Sequence, residues 1–182
     1  MGIPATILYG YVAEGDMNDA ATRIWEQTLV VRCQAGDHLA FAELVEAFHK
    51  RLCYYIERLV EQPNDVDDIL QQVWLDVYRK LPRLRSPKAF RVWLYRIARD
   101  KVYLGRRRKK SIVLRYTYEE FPLDSHREPA FSVEDIELIH ISLQKLSPEH
   151  KEVLTLRFME NMTYEEIADC VGCQLGTVRS RL

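Results

Sequence analysis

The sequence predicts an all-α protein: two small helical domains joined by a flexible linker, the second ending in a helix-turn-helix. Three observations predict it. Apolar residues recur at helical spacing along most of the 182-residue chain, and no segment alternates as a strand would. The period is lost once, in the middle of the chain. The last twenty residues, Thr163 to Leu182, read as a short helix, a glycine stop and a second short helix.

The elements follow in order. Phe41, Leu44, Val45, Phe48, Leu52, Tyr55, Ile56 and Leu59 keep the helical period, and Gln62-Pro63-Asn64 breaks that helix. Val66, Ile69, Leu70, Val73, Trp74, Val77, Tyr78 and Leu81 make the next, with Asp65, Asp67 and Asp68 in its first turn, where carboxylates favour the helix dipole. Ser86-Pro87 opens a third, proline being tolerated where no amide donor is needed. It carries Phe90, Leu94, Ile97 and Leu104. Periodicity is lost from Gly105, and residues 110–131 read as the linker. Ser132 and Asp135 start a helix bearing Ile136, Ile139, Leu143 and Leu146. Ser147-Pro148-Glu149 starts another bearing Val153, Leu154 and Phe158. Thr163 and Glu166 have capping-box spacing, and Gly172 supplies the left-handed stop. In the last helix Leu175, Val178 and Leu182 fall on an inward face and Thr177, Ser180 and Arg181 on the outward one, a set able to donate to and accept from base edges.

Charge supplies the second chemical signal. The formal net charge is only −1, yet from Arg83 to Arg115 thirteen Lys and Arg face a single acid, Asp100, while acids dominate from Glu119 to Glu137. Lys88, Arg91, Tyr95, Arg99, Tyr103 and Arg106 recur every three or four residues and so share a stripe, which Arg106 to Lys110 extends. Phosphates need the cations, and unpaired bases need aromatic faces to stack on. Acids are nearly excluded and aromatics interleave, which favours nucleic-acid contact over a merely solvated face. Trp93, beside Leu94 and Ile97, reads more readily as core than as a base-stacking wedge.

Other classes are disfavoured. His38, His49, His126, His140 and His150 are scattered, with no nucleophile elbow, phosphate loop or metal-spaced His pair, so neither an enzyme nor a cofactor is expected. Cys170 and Cys173 form a C-x-x-C without two further ligands nearby and outside a strand-to-helix context, so two small residues in a turn are the simpler reading. Four cysteines in a chain of this size do not suggest a disulfide framework, which favours a reducing cytoplasm. No apolar run is long enough to span a membrane, and the N-terminus lacks secretory-signal architecture; Met1 to Thr6 matches only the loose myristoylation pattern. From the residues alone, the helix-turn-helix also fits a stand-alone DNA-binding transcriptional regulator, and the helices a protein-interaction module. Footprinting without polymerase separates the regulator, because a repressor protects DNA unaided.

From about Leu29 to Leu182 the chain resembles the extracytoplasmic-function (ECF) class of bacterial RNA polymerase sigma factors. The stretch from Gln34 to Leu44 looks like the family's opening signature. Asp65-Val-Asp-Asp-Ile-Leu-Gln-Gln-Val-Trp-Leu75 resembles its polymerase-binding helix. Phe90-Arg-Val-Trp-Leu-Tyr-Arg-Ile-Ala-Arg99 resembles its promoter-melting helix. Leu146 to His150 and the terminal helix-turn-helix complete the order.

The resemblance implies an N-terminal extension over 1–28, open to disorder, a region 2 domain over 29–109, the linker over 110–131 and a region 4 domain over 132–182. It implies core polymerase binding through Asp67, Asp68, Gln71 and Gln72, and minus-ten DNA binding through Lys88, Arg91, Tyr95, Arg99 and Asp100. Thr177, Arg179, Ser180 and Arg181 would bind the minus-thirty-five element, with Arg179 on a flank suited to phosphate. The implied partners are core RNA polymerase, promoter DNA and, where one exists, an anti-sigma factor, all without membrane insertion. Three departures stand out. Asp100 replaces the usual Asn and, ionised, can only accept hydrogen bonds. The last helix stops at Leu182, where the family's runs on with further basic residues, so a truncated chain or weakened groove contact is expected. Residues before Leu29 have no counterpart, although Ile24, Trp25 and Leu29 suit the start of a helix and Met17 suits a start of the chain.

Overall fold

The computed structural model describes residues 17–60, 65–110 and 146–182. Seven α-helices appear among them: α1 (Met17–Gln34), α2 (His38–Leu59), α3 (Val66–Lys80), α4 (Phe90–Lys110), α5 (Pro148–Phe158), α6 (Tyr164–Val171) and α7 (Leu175–Arg181). Two short 3-10 turns, Leu81–Arg83 and Pro87–Ala89, join α3 to α4. No strand occurs among the described residues. The expected linker, apart from Lys110, and all but the last residue of the helix expected over 132–146 lie outside the described residues. So do residues 1–16, with the myristoylation match, and the side chains of Arg106 to Lys110.

Sequence chemistry explains the element ends. Asp37 caps α2 with its carboxylate, which accepts from the Leu39 and Ala40 amides at 3.0 and 3.1 Å. The backbone amide of Ala40 and the Arg32 guanidinium hold that carboxyl below its ordinary range. Gly36, at φ +90, makes the turn between α1 and α2. Removing the cap with Asp37→Ala is expected to lower the urea midpoint of unfolding at neutral pH. Because the folded-state pKa is depressed, this contribution is present above the ordinary carboxylate range and is lost as pH falls below it. Equal stability of variant and parent at neutral pH would contradict the cap.

Phe48, Leu52, Tyr55 and Ile56 of α2 are fully buried against Phe90, Leu94 and Tyr95 of α4. Phe48 meets Phe90 edge to face at 5.4 Å, and Tyr55 meets Tyr95 likewise at 5.0 Å. Each such side chain contributes roughly 1.5–3 kcal/mol by leaving water. Trp93 is half-buried against Phe90, at 6.1 Å, which agrees with a packing role.

The structure differs from the sequence reading at four places. Helix α1 begins at Met17, inside the segment assigned to an extension, and buries Leu29 and Val30. Helix α4 continues through Gly105 to Lys110, because one glycine weakens a helix by only about 1 kcal/mol and nothing opposes the run. Leu182, expected inward, is 39% exposed, and Phe158, read among the apolar residues of its helix, is 63% exposed, so Val178 anchors α7 with half-buried Leu175. Most consequential, the two halves pack against each other, α5 on α2 and α6 on α4. Their buried residues form one continuous core, with Val153, Leu156, Met162, Ile167 and Val178 joined to those of α1–α4.

Candidate polymerase and nucleic-acid interfaces

Helix α3 is two-sided. Val66, Ile69, Leu70, Val73 and Val77 are buried. The residues expected to meet polymerase, Asp67, Asp68, Gln71 and Gln72, all lie exposed on the other side. Leu75, 47% exposed, prolongs that strip by a turn, and Tyr78, 52% exposed, flanks its end. Asp76 instead ties α3 to α4. It binds Lys80 at 2.8 Å and Lys101 at 3.0 Å, and these ammonium groups, Lys80 first, hold its carboxyl below the usual range. The strip thus sits on a helix fixed from behind, with acids, amides and a leucine left to solvent.

The expected minus-ten stripe is divided. Lys88, on the turn before α4, and Asp100 are exposed. Arg91, Tyr95 and Arg99 are covered. Arg91 is 5% exposed, and its Nη2 donates to both carboxylate oxygens of Glu26 on α1 at 2.8 Å. Its Nη1 donates to the Glu160 carbonyl at 2.7 Å. Tyr95 has no exposed surface, so in this arrangement its ring cannot stack on a base. Its hydroxyl is buried without a partner at hydrogen-bonding geometry; burial, then the charge of Glu160, pushes its ionisation well up. Arg99 lies over the Tyr103 ring at 4.6 Å and donates to Glu152 at 3.0 Å.

The groups that cover the stripe come from outside α4. Glu160, in the turn after α5, is buried and paired with Arg51 of α2, which also reaches Glu26 at 3.2 Å. Glu152 of α5 is fully buried, accepts from the Tyr55 hydroxyl at 2.7 Å, and leaves its second oxygen without a partner among the described residues. Burial pushes both carboxyls up, against the opposing pull of their hydrogen-bond partners. Arg23 of α1 joins Glu166 at 3.1 Å, and Arg96 donates to the Asp169 carbonyl. Sequence reading missed Glu26, Arg51, Glu152 and Glu160, since a polar residue within a helical period looks solvated until a neighbour covers it.

The helix-turn-helix has the expected local chemistry. The Thr163 amide donates to Glu166 at 2.8 Å and the Glu166 amide donates to Thr163 Oγ at 3.1 Å, a complete capping box. Gly172 ends α6 at φ +71, and its amide and that of Cys173 both donate to the Ala168 carbonyl. On α7, Arg179 and Ser180 are exposed, while Thr177 and Arg181 are partly so. The Ser180 hydroxyl donates to the Thr177 carbonyl at 3.0 Å, which leaves its lone pairs as outward acceptors. Cys170 is buried under this turn, and burial pushes its thiol far from the thiolate form that redox or metal chemistry uses.

Comparison with known proteins matches the two halves of the chain to two separate family patterns. The family pattern for sigma-70 region 2 matches residues 44–112, and that for sigma-70 region 4 matches residues 142–182. The ECF RNA polymerase sigma-E factor of Haemophilus influenzae is 33% identical over 174 residues, covering 89% of this chain and 92% of that protein. The RNA polymerase sigma-H factor of Pseudomonas aeruginosa is 35% identical over 88% of this chain and 90% of its own length. CnrH, solved in complex with the cytosolic domain of CnrY, shares the fold with a TM-score of 0.60 and 22% identity, over 86% of this chain and 89% of that one. RpoE of Bartonella quintana, solved with the anti-sigma factor NepR, shares it at 0.59 and 20%, over 78% and 89%. A two-part helical protein with a region 2 and a region 4 is of the sigma-70 class. The chain belongs to the ECF sigma factors of bacterial RNA polymerase. Sigma factors are regulatory DNA-binding factors rather than catalysts, and no described helix is long and apolar enough to cross a membrane.

Proposed function

We propose that this sigma factor docks on core RNA polymerase through α3, opens the minus-ten element along α4 and reads the minus-thirty-five element with α7, acting in the cytoplasm. The observation that carries this reading is the strip of Asp67, Asp68, Gln71, Gln72 and Leu75, exposed on a helix whose opposite side is wholly packed. Such a strip has no use to the fold itself, and it occupies the polymerase-binding segment of region 2. Run-off transcription with purified core polymerase and a library of genomic promoter fragments tests it: defined starts are expected only when the chain is added. DNA protection by the chain alone, with no polymerase dependence, would favour a stand-alone regulator instead.

Two site assignments follow. Asp100 is exposed next to Arg99, where a carboxylate repels phosphate and cannot donate. Asp100→Asn is expected to speed open-complex formation or change the preferred minus-ten base in a promoter library; identical rates and preferences in both forms would remove Asp100 from the interface. On α7, Ser180→Ala and Arg181→Ala are each expected to relax discrimination at particular minus-thirty-five base pairs by about 1–3 kcal/mol. Competition between single-base variants of the site, bound by holoenzyme, measures this, and unchanged preferences would make α7 a structural element. Arg179, exposed on the flank, is expected to weaken binding to all sequences alike when removed.

RpoE of Bartonella quintana, solved with the anti-sigma factor NepR, supports an anti-sigma partner for this chain as well.

A further inference from the structure

The corner between α1 and α2 is tightly bonded. Arg32 Nε donates to Asp37 at 2.9 Å, and its two Nη atoms reach Glu43 at 3.4 and 3.3 Å. The Asp37 amide donates to the Arg32 carbonyl at 3.1 Å, and the Gly36 amide to that of Cys33 at 3.0 Å. Gln34, the last residue of α1, stands at this corner. Its side-chain Nε2 donates to two carbonyls of the connector between α3 and α4, Leu81 at 3.1 Å and Leu84 at 2.7 Å. Two facing carbonyl oxygens admit only the NH2 end of the amide, so both of its hydrogens are used. The Leu84 amide closes the first 3-10 turn on the same Leu81 carbonyl at 3.0 Å. Gln34 therefore bridges the two ends of that turn. Beyond it the backbone is extended at Leu84 (φ −66, ψ 116) and at Ser86 (φ −129, ψ 115), outside any regular element. Arg83, Arg85 and Lys88 of this connector are exposed.

We propose that Gln34 is a positioning residue for minus-ten recognition: it acts through the connector over 81–89, which it fixes so that Arg83, Arg85 and Lys88 meet the opened strand in one register. The inference rests on the proposed function, which assigns Lys88 to that strand. The physical reason is preorganisation. A cation on a loose connector attracts phosphate from many geometries and discriminates little. A backbone fixed in advance incurs no ordering cost on binding and holds its side chains against one set of bases. Leu81 is buried and Leu84 packs against the core, so apolar contact seats the two ends of the turn. The connector's own bonds, Leu84 to Leu81 and Ala89 to Ser86, each close one 3-10 turn. Gln34 ties the first of these turns to α1, from 47 and 50 residues away in the chain.

The test uses the full chain as wild type, Gln34→Met, Gln34→Lys and Gln34→Glu. Gln34→Met keeps the length of the side chain and removes the donor; Gln34→Lys restores donors at similar reach. Hydrogen exchange is measured at the Leu84 and Ala89 amides of the free chain. Base preference is measured with core polymerase on a promoter library randomised over the minus-ten and minus-thirty-five elements. Gln34→Met is expected to exchange about tenfold faster at Leu84. It is also expected to lose about fivefold or more of its discrimination between minus-ten bases, the low end of what one good base contact supplies. Polymerase capture and minus-thirty-five preference stay as in the wild type. Gln34→Lys is expected to recover most of both losses. If Gln34→Met does not fold, Gln34→Glu, whose ionised carboxylate cannot donate, carries the same test. Unchanged exchange at Leu84, or wild-type minus-ten preference in a variant that exchanges faster, would overturn the positioning role. So would an equal loss of preference at both elements with a lowered urea midpoint, which marks a merely structural residue. Each of these leaves the sigma reading standing. Absence of any minus-ten preference in the wild type would instead overturn the functional reading, and the role of Gln34 with it.

Discussion

Replacing Arg91 with alanine is expected to lower the stability of the folded chain by about 3–5 kcal/mol, the cost of leaving one member of a buried ion pair alone. Arg91 and Glu26 are each about 6% exposed at the side chain. The guanidinium reaches both Glu26 oxygens at 2.8 Å and the Glu160 carbonyl at 2.7 Å. Without it, Glu26 is left with Arg51 at 3.2 Å among the described residues, and the carbonyl loses a donor. Urea unfolding followed by circular dichroism measures the loss. Arg91→Lys restores the charge but not the two-pronged fork and is expected to recover only part of it. A loss below about 1 kcal/mol would show that water replaces the fork, and that Arg91 serves DNA binding without serving the fold. A large loss means that DNA-binding defects of Arg91 variants must be read against their stability.

The second large effect concerns polymerase. Combining Asp68→Lys with Gln72→Ala is expected to weaken capture of core polymerase by tenfold or more, about 1.4 kcal/mol, while changing stability by no more than about 1 kcal/mol, the scale of a first-turn charge on the helix dipole. Both residues are exposed on α3, and the core uses its other side, Ile69, Leu70, Val73 and Val77. The expected signature is therefore separation: unchanged unfolding, lost capture and lost run-off transcription. Capture unchanged in a folded variant would show that these residues are solvated helix surface and that polymerase docks elsewhere. A parallel loss of stability would instead show the strip to be part of the packing.

The sequence by itself determined what depends on a residue and its near neighbours. Helical periods place the α2 and α3 cores, because side chains three and four apart share a face whatever surrounds them. The Thr163–Glu166 box and the left-handed Gly172 were legible for the same reason: capping is completed within four residues. The openness of Asp67, Asp68, Gln71 and Gln72 was legible too, since polar residues opposite an apolar stripe face water unless something covers them. Only the tertiary structure decided what covers what. The stripe of Lys88, Arg91, Tyr95 and Arg99 has one helical period, yet Lys88 is open and Tyr95 has no exposed surface. The difference is made by Glu26, 65 residues from Arg91, by Glu152, 53 residues from Arg99, and by Glu160, 109 residues from Arg51. A carboxylate and a guanidinium so far apart in the chain carry no local mark of their partnership. Their burial is favourable only once both desolvated charges meet in one place, and that meeting belongs to the packing of α1 and of region 4 on α2 and α4 rather than to any segment of sequence.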